Sequence, residues 1–280
     1  MKTSTRILSL LAVLFFVASS VFGDDATNYD NSGDVKFIKG NLDGAIADYS
    51  KAIKLKPDDA DAYASRGWVE KTKGNWNAAL ADCNKAIELK PDYADVYNAR
   101  GKVRQAKGDF EGALADFNKA IELKPNYAIA YVHRGSAKLD QGDMAGALAD
   151  FNKAVELKPD LEEAYSVRGA AKRGKGDWSG ALADYNKALE LKPDDAWAHD
   201  GHGVVKLIQG DLDGALADFN RVIELKPDYD MAYYYRGLVK RAKGDFDGSI
   251  ADFRRAIVLN PKLRALIETS GYLTNSVNLK

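Results

Sequence analysis

From residue 26 onward the chain repeats a single pattern of apolar and polar positions. A stretch with apolar and small residues three and four apart is followed by Gly and then Asp or Asn. A second such stretch comes next, and then a proline. Residues 94–127 read ADVYNARGKVRQAKGDFEGALADFNKAIELKPNY, and residues 230–263 read DMAYYYRGLVKRAKGDFDGSIADFRRAIVLNPKL. The spacing predicts two amphipathic helices per copy. Between them, Gly40, Gly74, Gly108, Gly142, Gly176, Gly210 and Gly244 can take the left-handed conformation that closes a helix. The residues that follow, Asn41, Asn75, Asp109, Asp143, Asp177, Asp211 and Asp245, are of the kind that caps the next helix. All seven prolines, Pro57, Pro91, Pro125, Pro159, Pro193, Pro227 and Pro261, stand 34 residues apart. Each ends a helix, because proline lacks an N–H and pushes its predecessor out of the α region. One helix pair cannot bury its own apolar face, so the copies must stack into an all-α solenoid.

Counted back from the prolines, the copies are 26–59, 60–93, 94–127, 128–161, 162–195, 196–229 and 230–263. Their fourth position is Tyr29, Tyr63, Tyr97, Tyr131, Tyr165 and Tyr233, with His199 as the one departure. The eighth is always Gly, from Gly33 to Gly237. Position 20 is Ala45, Ala79, Ala113, Ala147, Ala181 and Ala215, then Ser249. Position 24 is Tyr49, Phe117, Phe151, Tyr185, Phe219 and Phe253, with Cys83 in the second copy. This pattern resembles the tetratricopeptide repeat family. The resemblance implies a right-handed solenoid of seven antiparallel helix pairs. Residues 264–280 start an eighth copy and stop, which predicts a short C-terminal capping helix and tail.

One departure from the family is systematic. Position seven, usually leucine, is Arg66, Arg100, Arg134, Arg168 and Arg236, with Ser32 in the first copy and His202 in the sixth. Position 23 is Asp in every copy: Asp48, Asp82, Asp116, Asp150, Asp184, Asp218 and Asp252. Cation and carboxylate recurring in register predict a structural ladder of ion pairs. Each Arg is expected to reach the Asp of the preceding copy, 18 residues earlier, with pairing inside one copy as the alternative. Arg100→Ala is expected to destabilise the array without altering ligand choice. His199 and His202 then read as substitutions of the packing tyrosine and the ladder arginine, and no metal site is assigned to them. His133 stands alone and reads as a surface residue. Cys83, the single cysteine, lies at an apolar helix position and reads as a small buried hydrophobe.

The resemblance further implies that positions 2, 5, 9 and 12 of the first helices line a concave groove. Near the N-terminus these positions carry Thr27, Asp30, Asp34, Asp61, Asp95 and Asn98, with Phe37 and Trp68. In the last two copies they carry Trp197, Asp200, Val204, Leu207, Met231, Tyr234, Leu238 and Arg241. Trp, Tyr, Met and Arg are enriched at interfaces, so these eight residues are the candidate partner-binding set. The competing expectation is that they pack against the segment 264–280. The lysine–asparagine clamp for C-terminal carboxylates found in some family members is missing: position five is Asp30, Ala64 and Asn98, and no Asn stands at position nine.

The first 23 residues are of another kind. Lys2 and Arg6 precede an uncharged apolar run, Ile7 to Ala18, and then Ser19-Ser20-Val21-Phe22-Gly23. That layout predicts a secretory signal peptide cleaved after Ser20 or Gly23, and therefore an exported protein, periplasmic or secreted. The apolar run is too short to span a bilayer, so no stable membrane insertion is expected after cleavage. A formal net charge of −1 gives no electrostatic footprint for nucleic acid. No phosphate loop, nucleophile elbow or Cys/His cluster occurs, and the chain reads as a non-enzyme without a cofactor. The expected function is an exported interaction scaffold that binds a partner peptide or protein in its groove. Binding of a cell-wall or exported polysaccharide, or self-assembly of the solenoid, is the alternative.

Overall fold

A computed structural model describes residues 25–273. The leader expected over residues 1–23 lies outside them. Fifteen α-helices and no strand are found among the described residues. They fall into two compact units that divide between Gln141 and Gly142. The first unit holds α1 (Asp25–Ile38), α2 (Leu42–Leu55), α3 (Ala60–Thr72), α4 (Trp76–Leu89), α5 (Ala94–Ala106), α6 (Phe110–Leu123) and α7 (Ala128–Asp140). The second holds α8 (Met144–Leu157), α9 (Glu162–Gly174), α10 (Trp178–Leu191), α11 (Ala196–Gln209), α12 (Leu212–Leu225), α13 (Asp230–Ala242), α14 (Phe246–Leu259) and α15 (Leu263–Thr269). Inside each unit every helix packs on its sequence neighbours. The first helices of successive copies also touch: α1 with α3, α3 with α5 and α5 with α7 in one unit, α9 with α11 and α11 with α13 in the other.

The turns follow from the residues predicted for them. All seven turn glycines have positive φ, between 77° and 84°. The next residue caps the following helix by accepting the N–H three residues on, as in Gly112 N–H to Asp109 Oδ1 at 2.9 Å. Asn75 is the exception: it makes no cap bond and donates to Glu70 instead, at 2.6 Å. The cause is one methyl group. Every capped copy has Gly at the donating position, and a Cβ on Gly112 would fall 2.2 Å from Asp109 Oδ2. The second copy has Ala78 there, so the cap is displaced.

Between helix pairs lies a column of small and aromatic side chains. Ala45, Ala79, Ala113, Ala147, Ala181 and Ala215 are fully buried, and so are Phe117, Phe151, Phe219 and Phe253. Each such ring contributes roughly 1.5–3 kcal/mol relative to exposure. Residue size is matched across copies. Phe219 stacks on Tyr235 at 5.4 Å, small Cys83 packs with Ala99, and Tyr185 sits under Gly201. A Cβ on Gly201 would meet the Tyr185 ring at 2.3 Å and its hydroxyl at 2.4 Å. Gly201→Ala is therefore expected to cost about 1–3 kcal/mol in urea unfolding through overpacking. Gly174→Ala serves as the control, since its nearest neighbour there is a Met144 methyl at 3.4 Å.

The ion-pair ladder exists, but its register differs from the expectation. Arg66 grips Asp82 of its own copy, with Nε to Oδ2 at 2.9 Å and Nη2 to Oδ1 at 2.7 Å. Arg100 with Asp116, Arg168 with Asp184 and Arg236 with Asp252 repeat the two-pronged contact. The third guanidinium nitrogen reaches back to the preceding copy: to Ser50 from Arg66, to Asn84 from Arg100, to Asn152 from Arg168 and to Asn220 from Arg236. The arginine thus ties neighbouring copies together while its charge is spent within one. In the first copy, which has no arginine at position seven, Ser32 and Lys36 bond Asp48 directly.

The C-terminal end closes the second unit. Tyr272 stacks on Phe253 at 5.0 Å, and Ile267 is fully buried beside it. The short closing helix expected there ends at Thr269, and Gly271 turns the chain at φ 68°.

Candidate functional site

The eight groove residues all lie in the second unit, on α11 and α13, and the fold treats them differently. Trp197, Asp200, Val204 and Leu207 recur three, four and three residues apart, which places them along one face of α11. Trp197 is 63% exposed. Tyr229 meets its ring edge-on at 5.8 Å, and the Lys226 ammonium lies 4.9 Å from its centre. Val204 is buried with Phe219 and Val239, and Leu207 packs against that cluster. Met231 is half-buried.

Tyr234 and Leu238 belong instead to the terminal cluster with Ile267, Tyr272 and Leu273. The Arg241 guanidinium lies over Phe246 and Tyr272, at 5.4 and 5.6 Å. These three therefore meet the C-terminal segment, whereas Trp197 and Met231 do not share that cluster.

Asp200 is the unusual member. It is 9% exposed, and its Oδ1 is buried without a hydrogen-bond partner. Burial pushes its carboxyl up to about 6, and the nearby Arg173 charge opposes that shift. Tyr229 did not stand out in the sequence as a site residue, because it gains its meaning from the packing of neighbouring copies.

Both histidines of the sixth copy serve the ladder. His199 and His202 each place Nδ1 2.9 Å from Asp218, and Lys206 Nζ is 3.1 Å away. His199 also bonds the Pro193 carbonyl, the contact Tyr131 and Tyr233 make to Pro125 and Pro227. Burial would raise the carboxyl of Asp218, but its hydrogen bonds with His199, His202 and Lys206 hold it far below its ordinary range. His133 corrects the sequence reading. It is not a free surface residue: Nδ1 is 2.8 Å from Asn98 Oδ1 and the ring lies 5.8 Å from Phe117.

The first unit carries its own aromatic cleft of about 170 Å³, lined by Trp68, Cys83, Tyr93 and Asp95 among others. Trp68 is 42% exposed, with the Lys71 ammonium 3.8 Å from its ring centre. The Cys83 thiol is pushed up to about 12 by burial, as befits an inert core residue. Nearer the N-terminus, Asp30 is raised to about 6 by burial and by Asp59, Asp34 and Asp61. No described helix is long and apolar enough to cross a membrane.

No curated protein matches this sequence. Among solved structures, the MamA protein is 30% identical over 62% of this chain and 96% of its own, with a TM-score of 0.52. A tetratricopeptide repeat protein from Parabacteroides merdae is 19% identical over 90% of this chain and 99% of its own, with a TM-score of 0.66. Pseudomonas aeruginosa PilF is 17% identical over 76% and 96%, with a TM-score of 0.68. At those identities the last two speak for the fold alone. Models of the TPR repeat match residues 33–69, 69–108, 101–142, 171–207 and 203–240. Models of the tetratricopeptide repeat match 128–161 and 232–263. These spans take in more than half of the chain, which belongs to the tetratricopeptide repeat family.

Proposed function

We propose that this chain is an exported interaction scaffold that holds a segment of a partner protein against the inner helices of its second unit. The observation that carries the reading is Trp197, largely exposed beside Tyr229 and one helical turn from a buried carboxyl that lacks a partner. An exposed aromatic beside a polar group with spare bonding capacity is the composition of a binding hot spot. Family membership supports the scaffold role, since stacked helix pairs present extended surfaces for recognition. Export rests on the leader pattern of residues 1–23.

The test is affinity capture from envelope and secreted extracts with the mature chain, beside a Trp197→Ala, Met231→Ala variant. Tyr234 and Leu238 are left intact because they help close the second unit. A protein retained by the wild type and weakened by about tenfold or more in the variant, at equal helicity, is the expected result. Equal retention by both chains would move the site away from α11 and α13. Retention of wall polymer and of no protein would favour the polysaccharide reading.

A further inference from the structure

Resting on that reading of the second unit, we propose that its groove recognises a basic side chain, a lysine or arginine in an extended segment of the partner. The Asp200 carboxylate receives the cation, and the Trp197 and Tyr229 rings flank its aliphatic stem.

The case begins with a missing bond. Asp200 is nine-tenths buried and its Oδ1 has no hydrogen-bond partner, a rare state for a buried acceptor. At the equivalent position the first copy's Asp30 Oδ1 is likewise unpaired, whereas the third and fifth copies satisfy theirs. Ser166 Oγ donates to Asp195 at 3.0 Å, and Asn98 Oδ1 lies 2.8 Å from His133. The residue that stands to Asp200 as His133 stands to Asn98 is Tyr235, whose ring lies flat on Phe219 and leaves Oδ1 unpaired. Copy six therefore keeps a polar group that its own packing does not use.

The surroundings select the ligand. From α9, Arg173 acts on Asp200 as a charge and not as a hydrogen-bond donor. From α10 and from α13 with its leading turn come the hydroxyls of Tyr185, Tyr229 and Tyr235, all shifted upward and neutral at physiological pH. Lys226 is engaged with Trp197. The carboxyl itself, raised to about 6, is ionised at neutral pH yet desolvated. An anionic ligand is repelled by it, and a neutral donor adds no charge to the partial compensation from Arg173. A cation satisfies both charge and bond. The ring pair beside it suits the stem of a long basic side chain, and Lys226 already shows that Trp197 accepts an ammonium.

A random peptide library selected on the mature chain tests this. Enriched peptides are expected to share a Lys or Arg at one position. Its replacement by Met, or Asp200→Asn in the protein, should each weaken binding by about 10–100-fold, and the two losses should not add. Binding to the wild type should strengthen as pH rises through about 6, and stay flat in Asp200→Asn. Peptides that need Trp197 but carry no basic residue, or ignore Asp200→Asn, would overturn this inference and leave the groove in place. Peptides indifferent to both residues, or no peptides at all, would overturn the groove reading and the inference with it. A ligand-free check stands beside it: Asp200→Asn should raise Tm at pH 7.5 and not at pH 4. An unchanged Tm at both would mean the carboxylate is already compensated, and would sink the proposal.

Discussion

Arg66→Ala is expected to lower stability by about 3–5 kcal/mol, the range for a buried carboxylate stripped of its only cation. The argument turns on what else holds each ladder aspartate. Asp116 keeps Arg104 at 2.8 Å, Asp184 keeps Lys172 at 2.8 Å and Asp252 keeps Lys240 at 2.8 Å when the main arginine is removed. Those second cations stand eleventh in their copies, where the second copy has Glu70. Asp82, 5% exposed, is thus gripped by Arg66 alone and faces a like charge nearby. Arg168→Ala should cost only about 1.5–3 kcal/mol, the worth of hydrogen bonds to a charged group whose charge stays paired. Urea unfolding of the two variants measures the difference, and equal losses would contradict this account. A second test reverses the damage. Glu70→Lys in the Arg66→Ala background restores the cation the other copies have, and should recover at least half of the loss.

The ladder also shows what a periodic sequence can and cannot reveal. Its residues, their structural role and their recurrence were legible at once. Its register was not. Arg66 lies 18 residues after Asp48 and 16 before Asp82, and those separations complete one 34-residue period. Every copy offers the same two choices, so repetition adds no information about which is taken. Only the fold-back of each copy's second helix on its first decides it. The same limit applies to the site. The face of α11 carrying Trp197 and Asp200 follows from helical spacing. That Tyr234, Leu238 and Arg241 meet Tyr272 depends on a segment outside the repeat, which no period describes. The lone state of Asp200 likewise depends on what Tyr235 does with its ring. Where copies are identical the sequence speaks for all of them, and where one differs, packing decides the meaning.

The first unit should lose stability between about pH 6.5 and pH 3 through His133. Burial, helped by the Lys102 and Lys71 charges, pushes its imidazole down to about 3 from an ordinary 6.5. At pH 7.5 the ring is neutral in both folded and unfolded chains and contributes no pH dependence. Below 6.5 the unfolded chain takes up a proton that the folded ring refuses, so acid favours unfolding until the folded value is reached. The full shift corresponds to a limit on the order of 5 kcal/mol, reached only near the acid end of the window. The geometry agrees with the direction: the ring is packed near Phe117, and its Nδ1 meets an amide and not a carboxylate. His199 has the opposite sign. Asp218 raises its value, so its contribution is present below about 6.5 and fades as pH rises through the folded value. His133→Gln keeps a donor for Asn98 and removes the titration. Its unfolding free energy should fall less steeply than that of the wild type between pH 6.5 and 4, whatever the substitution costs at pH 7.5. Carboxylates, including Asp30 and Asp200, titrate alike in both proteins and cancel from the comparison. Parallel curves would mean that His133 accepts its proton in the folded state, and that the amide contact opens to let it do so.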